Sequence, residues 1–185
     1  VRLGAHDMFI TEACEYVESF LHFKPFVSII TNIEEDHLDY FKDLNHIITS
    51  FVKFASLTND NGCNIVCIDE NTTQSIVQNV KKKAVTYALN NKNADYTAEN
   101  ITLEKNGCPT FDIFNKDRKV LSVSLNVAGD HNICNALGVT AACEFLGIEP
   151  EYIKSGLEEF RGAKRRFDRL GKTETGVDVV DDYAH

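Results

Sequence analysis

The stretch Phe26–Asp39, FVSIITNIEEDHLD, decides the fold. Its first residues, Phe26–Thr31, follow Pro25 and are dominated by β-branched side chains, the composition of a short buried strand. The chain then turns polar at the carboxyl end of that strand, where open α/β sheets gather their ligands. Downstream, Leu44–Leu57 reads as a helix, because Leu44, Ile47, Ile48, Phe51, Val52 and Ala55 recur at helical steps. Asn64–Asp69 is a second buried-type strand after the turn Asn61-Gly62. Thr72–Lys83 is expected to be helical, with Lys81–Lys83 at the end that favours cations, and Ala84–Ala88 to be a strand. Upstream, the apolar run Met8–Ala13 (MFITEA) reads as a strand ending in a carboxylate. Strands alternating with helices predict an α/β fold, a mostly parallel sheet with flanking helices.

The pattern changes after Asn91. Tyr96–Leu103, Thr110–Phe114 and Val120–Val127 alternate apolar and polar residues between the turns Asn106-Gly107 and Lys116-Asp117, predicting a small antiparallel β meander. A helix is expected over His131–Leu146, ended by Gly147, and another from Pro150 to Glu158. Val177–Val180 reads as one more strand. The domain boundary is placed after Gly162: residues 1–162 form one domain, and 163–185 a linker and the start of another. Val1 is no initiator and the chain stops within the polar run DDYAH, so both ends read as cuts in a longer protein.

With 185 residues, 43% of them hydrophobic and 25% charged, the chain can bury a core of one domain. Lys and Arg number 19 against 28 Asp and Glu, a formal charge of −9, which argues against a nucleic-acid partner. Within this acidic chain, Lys164, Arg165, Arg166 and Arg169 form a basic cluster. The longest apolar runs are too short to span a bilayer and no signal peptide opens the chain. A soluble, cytoplasmic protein with no membrane partner is the expectation. The six cysteines include no CxxC pair and read as free thiols rather than metal ligands or disulfides.

Three polar runs can carry chemistry. In Thr31–Asp39, His37 flanked by carboxylates can ligate a divalent metal; the run can equally be a solvated loop that caps the next helix. Glu12 ends the first expected strand. If the two strands are parallel neighbours, Glu12 and His37 emerge at one edge, and a carboxylate, an imidazole and waters suit Mg²⁺. Glu12 can also be a plain surface acid. In Gly129–Ala136, His131, Asn132 and Asn135 place donors and acceptors at a helix start, where Asn amides can pair with an adenine edge; an ordinary helix cap is the alternative. Arg165 and Arg166 can fork onto phosphate or lie on a solvated linker. Asp182 can meet a ribose hydroxyl or a metal, or lie in a loop. No GxxxxGK[ST] occurs, so no phosphate-cradling loop with its lysine comes from this chain.

Together, EACEYVESF (Glu12–Phe20), TNIEEDHLD (Thr31–Asp39), GDHNICNALGVTAA (Gly129–Ala142), RRFD (Arg165–Asp168) and DDYAH (Asp181–His185) resemble the Mur ligase family, in its order and spacing across nearly the whole chain. The resemblance implies a P-loop-type central domain with the phosphate loop absent. It is strongest to the branch that adds L-alanine to UDP-N-acetylmuramate. Ser19-Phe20, the RRFD run and the doubled Asp before Tyr183 favour that branch. Other ligases of the pathway carry a carbamylated lysine fourteen residues after the motif histidine, where this chain has Phe51. The alternatives are the tripeptide-recycling branch, whose loop differs from TNIEEDHLD, and a non-catalytic binding module on the same fold.

Residue by residue, the resemblance implies Mg²⁺ on Glu12 and His37, and adenine against His131, Asn132 and Asn135. It puts phosphates near Arg165 and Arg166, and the ATP ribose near Asp182. Catalytic roles fall on His37, Glu12 and Arg166. The implied reaction phosphorylates the UDP-muramoyl carboxylate with ATP, and the amine of L-alanine then attacks the acyl phosphate. Without a phosphate loop the isolated chain is expected to be inactive. Loss of a central strand neighbour would leave an edge open to self-association.

Overall fold

The computed structural model describes residues 8–166 and 168–183, apart from the side chain of Arg169. Strands β1 (Val27–Ile30), β2 (Cys63–Cys67), β3 (Ala84–Tyr87), β4 (Tyr96–Leu103), β5 (Pro109–Asn115) and β6 (Arg118–Ser124) form one sheet in that order. β1 pairs β2 in parallel, and β3 pairs β4 in parallel. β4, β5 and β6 are antiparallel neighbours, so the expected meander continues the same sheet. The helices are α1 (Leu44–Ser56), α2 (Asn71–Asn79), α3 (Asp130–Phe145) and α4 (Pro150–Glu159). Strands β7 (Asp168–Lys172) and β8 (Asp178–Asp181) make a separate antiparallel pair. Among the described residues, no helix is long and apolar enough to cross a membrane.

The chain divides into two compact units. One runs up to Val66 and adds Glu70–Val85; the other holds Cys67–Asp69 and the chain from Thr86 onward.

All five residues of β2 are buried, and the first four of them belong to the first unit. Its one buried amide, Asn64, makes three side-chain hydrogen bonds. Asn64 Oδ1 accepts from Ser28 Oγ (2.6 Å) and Thr58 Oγ1 (2.8 Å), and Nδ2 donates to the Ala55 carbonyl (3.2 Å). β1, β2 and the end of α1 are thereby fixed to one another by polar bonds inside an apolar core. The turn before β2 needs Gly62 for space, since a Cβ there would sit 2.0 Å from the Phe26 carbonyl oxygen. The Asp43 side chain caps α1 by accepting from the His46 amide at 2.8 Å. The core face of α1 includes Phe54, whose ring stacks on Phe20 with centroids 4.7 Å apart.

In the second unit, α3 lies against β4, and α4 against β6 and α3. Ile133, Ala136, Leu137, Thr140 and Ala141 form the buried face of α3. The helix is seated closely because a Cβ on Gly138 would lie 2.9 Å from Cζ of the Tyr87 ring. Tyr96 donates its hydroxyl to Glu144 Oε2 (2.8 Å) and accepts from Asn115 Nδ2 (2.9 Å). Burial, followed by the Glu144 bond and charge, pushes the Tyr96 phenol well above its ordinary range.

Three expectations are corrected. Met8–Ala13 is not a strand: Phe9 and Ile10 are 87% and 92% exposed, and an extended run without ladder partners is not held as one. The premise that Glu12 and His37 end adjacent parallel strands fails with it. α2 stops at Asn79, not Lys83, because the Lys83 carbonyl accepts from the Asn64 amide (2.9 Å) and the chain must already be extended to enter β3. Lys81–Lys83 therefore do not sit on a helix end. Strand β7 escaped the sequence reading, since its DRLGK has little alternation and contains a glycine.

Asn64→Ala should destabilise the chain by about 2 kcal/mol, because Ser28 and Thr58 lose their buried acceptor; urea denaturation measures this. A second expectation concerns acid. The Lys119 bond, then those of Ser122 and Asn100, hold the Asp112 carboxyl down at about 2 from its ordinary 3.8. A depressed carboxylate stabilises the fold above its unfolded pKa and loses that contribution as pH falls through its folded one. Between pH 3.8 and about 2, wild type should therefore lose more stability than Asp112→Asn; equal losses would remove the linkage.

Candidate functional site

The polar loop after β1 folds back onto the segment before it. His37 Nε2 lies 3.4 Å from Glu15 Oε1, and His37 Nδ1 lies 3.8 Å from Asp36 Oδ1. The His37 amide donates to Asp36 Oδ1 at 2.7 Å. His37 holds φ of +53°, an uncommon conformation for a residue with a side chain. The Tyr16 ring sits against the imidazole with centroids 4.7 Å apart, and its hydroxyl donates to Asp39 Oδ2 at 2.9 Å. That bond and the Asp39 charge push the Tyr16 phenol above its ordinary value.

One donor atom from each of Glu15, Asp36 and His37 lies within 4.8 Å of the others. Glu12 is exposed and outside this cluster. Glu15 is the residue the sequence reading passed over. Its signal was its place three residues after Glu12 in the same motif.

The segment carrying Glu15 leads into a 3₁₀ turn, Tyr16–His22, with Val17 and Glu18 in the left-handed region at φ of 49° and 56°. A β-branched residue there is strained. The turn is held by the Glu18 side chain. Glu18 Oε1 accepts from Ser50 Oγ (2.9 Å) and Lys53 Nζ (3.1 Å) on α1, and Oε2 accepts from the Tyr40 hydroxyl (3.3 Å). The Lys53 bond, then that from Ser50, lowers the Glu18 pKa.

In the second unit, His131 and Asn135 are exposed on the first turns of α3, opposite its buried face, with Asn132 half-buried between them. Asn132 Nδ2 is bonded to the Ala128 carbonyl (2.8 Å) and lies 3.1 Å from His131 Nε2. Gly129, at φ of +100°, admits this packing: a Cβ would sit 2.7 Å from His131 Cε1. Arg165 lies over the Tyr183 ring at 4.5 Å, and its carbonyl accepts from the Tyr183 amide at 2.8 Å. The basic run is thereby brought to the residue after Asp182. Arg166 is exposed. DDYAH is only partly placed, since Ala184 and His185 lie outside the described residues.

A loop histidine among carboxylates after a parallel strand, and a glycine-hinged helix start presenting His and Asn, belong here to a recognisable class. Residues 2–143 match the family described as the Mur ligase middle domain, and the chain belongs to that family. Along its whole length it is 46% identical to UDP-N-acetylmuramate–L-alanine ligase of Acetivibrio thermocellus and 42% identical to that of Caldanaerobacter subterraneus subsp. tengcongensis. It spans only 39% and 40% of those two proteins. Among solved structures, UDP-N-acetylmuramate–alanine ligase MurC of Thermotoga maritima aligns over 91% of this chain and 37% of its own, at 30% identity and a TM-score of 0.75. MurF of Acinetobacter baumannii aligns over 89% of this chain and 35% of its own, at 26% identity and the same TM-score of 0.75.

Glu18→Ala should release the strained turn from α1. Hydrogen exchange of the Phe20 and Phe23 amides should quicken by roughly tenfold or more, while the amides of α1 keep their protection.

Proposed function

We propose that the chain is the central part of an ATP-dependent ligase that joins L-alanine to UDP-N-acetylmuramate. The observation that carries this is whole-chain identity of 42% and 46% to two ligases named for that reaction. Phe51, at the position fourteen residues after His37, supports the same branch. It packs edge-on to Phe20 in the core, with ring centroids 5.1 Å apart.

Nucleotide would lie on α3. Exposed Asn135 and His131, braced by Asn132, offer donors and acceptors to an adenine edge. Arg165 and Arg166 would meet phosphate oxygens, and Asp182 the ribose. The donors around His37 fit a hard divalent cation, since carboxylate oxygens and one imidazole leave room for waters and phosphate oxygens. His37 would hold Mg²⁺ through Nε2 together with Glu15, while Asp36, facing Nδ1, orients the imidazole. Bound there, the ion would supply charge neutralisation at phosphate and acyl oxygens. The protein's own contribution is positioning and fixed dipoles.

A second reading is a binding module without catalysis on the same fold. The test separates the two. The 185-residue chain alone should release no ADP when given ATP, Mg²⁺, UDP-N-acetylmuramate and L-alanine. The longer ligase that contains it should release ADP only when alanine is present. His37→Ala in that protein should cut the rate by about 100-fold, and Glu15→Gln should weaken Mg²⁺ dependence by roughly 10-fold. Alanine-independent turnover, or full activity of His37→Ala, would overturn the reading.

A further inference from the structure

A second cluster of ligating side chains lies wholly within the second unit, and the proposed reaction does not use it. Cys67, the last residue of β2, and Cys134, in the first turns of α3, hold their sulfur atoms 3.5 Å apart. Asp69 Oδ2 lies 4.0 Å from the first sulfur and 3.9 Å from the second. The carboxylate is not free to swing away. Its Oδ2 accepts from the Leu89 amide (2.7 Å) and its Oδ1 from the amides of Asn90 (2.8 Å) and Asn91 (3.0 Å). Among the described residues, Asp69 is paired with no lysine or arginine. Cys67 is buried, while Cys134 and Asp69 are partly exposed, which leaves one side for entry.

These separations are those of a metal site. Zinc–sulfur bonds of about 2.3 Å and a zinc–oxygen bond of about 2.0 Å, arranged tetrahedrally, put two sulfurs roughly 3.8 Å apart and sulfur roughly 3.5 Å from oxygen. All three observed distances fall within about half an ångström of this geometry. A disulfide would require the sulfurs to close to about 2.05 Å and would make no use of Asp69. Paired thiolates select zinc, cadmium or copper(I) over magnesium.

We propose that Cys67, Cys134 and Asp69 form a binding site for a soft metal ion of the zinc class, with a water in the fourth position. On binding, each thiol gives up its proton to solvent and its sulfur bonds the metal. The occupied site clamps the first turns of α3 to the end of β2. Those turns carry Asn135, the next residue after Cys134.

The test is a titration of the reduced, metal-free chain with Cd²⁺, read by thiolate-to-metal absorption in the ultraviolet. Saturation at about one ion per chain is expected, with Zn²⁺ competing for the same site. Cys134→Ser and Cys67→Ser should each weaken binding by about tenfold or more, and the paired substitution Cys14→Ser, Cys108→Ser should leave it unchanged. Circular dichroism checks the folding of each variant; if Cys67→Ser does not fold, Cys134→Ser carries the decision. Absence of saturation near one equivalent, undiminished binding in Cys134→Ser, or loss of binding in the Cys14/Cys108 variant would each overturn the proposal.

Discussion

The side-chain amide of Asn64 is the bond on which the first unit depends. It sits in a strand with every residue buried and ties together Ser28 on β1, Thr58 after α1 and the Ala55 carbonyl at the end of that helix. Apolar packing alone would let β1 slide on β2, since it has no direction. A buried amide with three fixed partners sets one register, because a slip would strand polar atoms in the core. That register places the carboxyl end of β1, and hence the loop with His37.

The loop inherits a fixed start but not a fixed shape. Its shape comes from side chains that cross between segments. Tyr16 reaches Asp39, Glu15 reaches His37, and Glu18 reaches α1 through Ser50 and Lys53. These contacts oppose the backbone strain at Val17, Glu18 and His37, all at positive φ. Strain and acidic charge therefore gather around one imidazole.

Periodicity made most elements legible. The apolar steps of α1, the alternation of β4 to β6 and the glycine after α3 each survive in the structure. What was not legible depended on partners. MFITEA has the composition of a strand, yet a strand exists only where another accepts its hydrogen bonds. The triple lysine suits a helix end, but the pairing of Lys83 with Asn64 claims the backbone first. The motif residues His37, His131 and Asn135 stood out by type and spacing. Glu15 was marked only by its place three residues after Glu12 in the same motif, because its meeting with His37 arises from a fold-back of the chain. The meeting of Cys67 with Cys134 was hidden for the same reason, since the two lie 67 positions apart in sequence.

The close seating of Gly138 against Tyr87 gives the second unit a rear adjustment. α3 presents His131 and Asn135 outward, while its opposite side rests on an aromatic ring with no space for a methyl group. A side chain added at that glycine would push the helix off the ring and shift its outer residues together, as a rigid rod moves at one end when wedged at the middle. The position of the exposed side of α3 can therefore be set by a residue on its buried side.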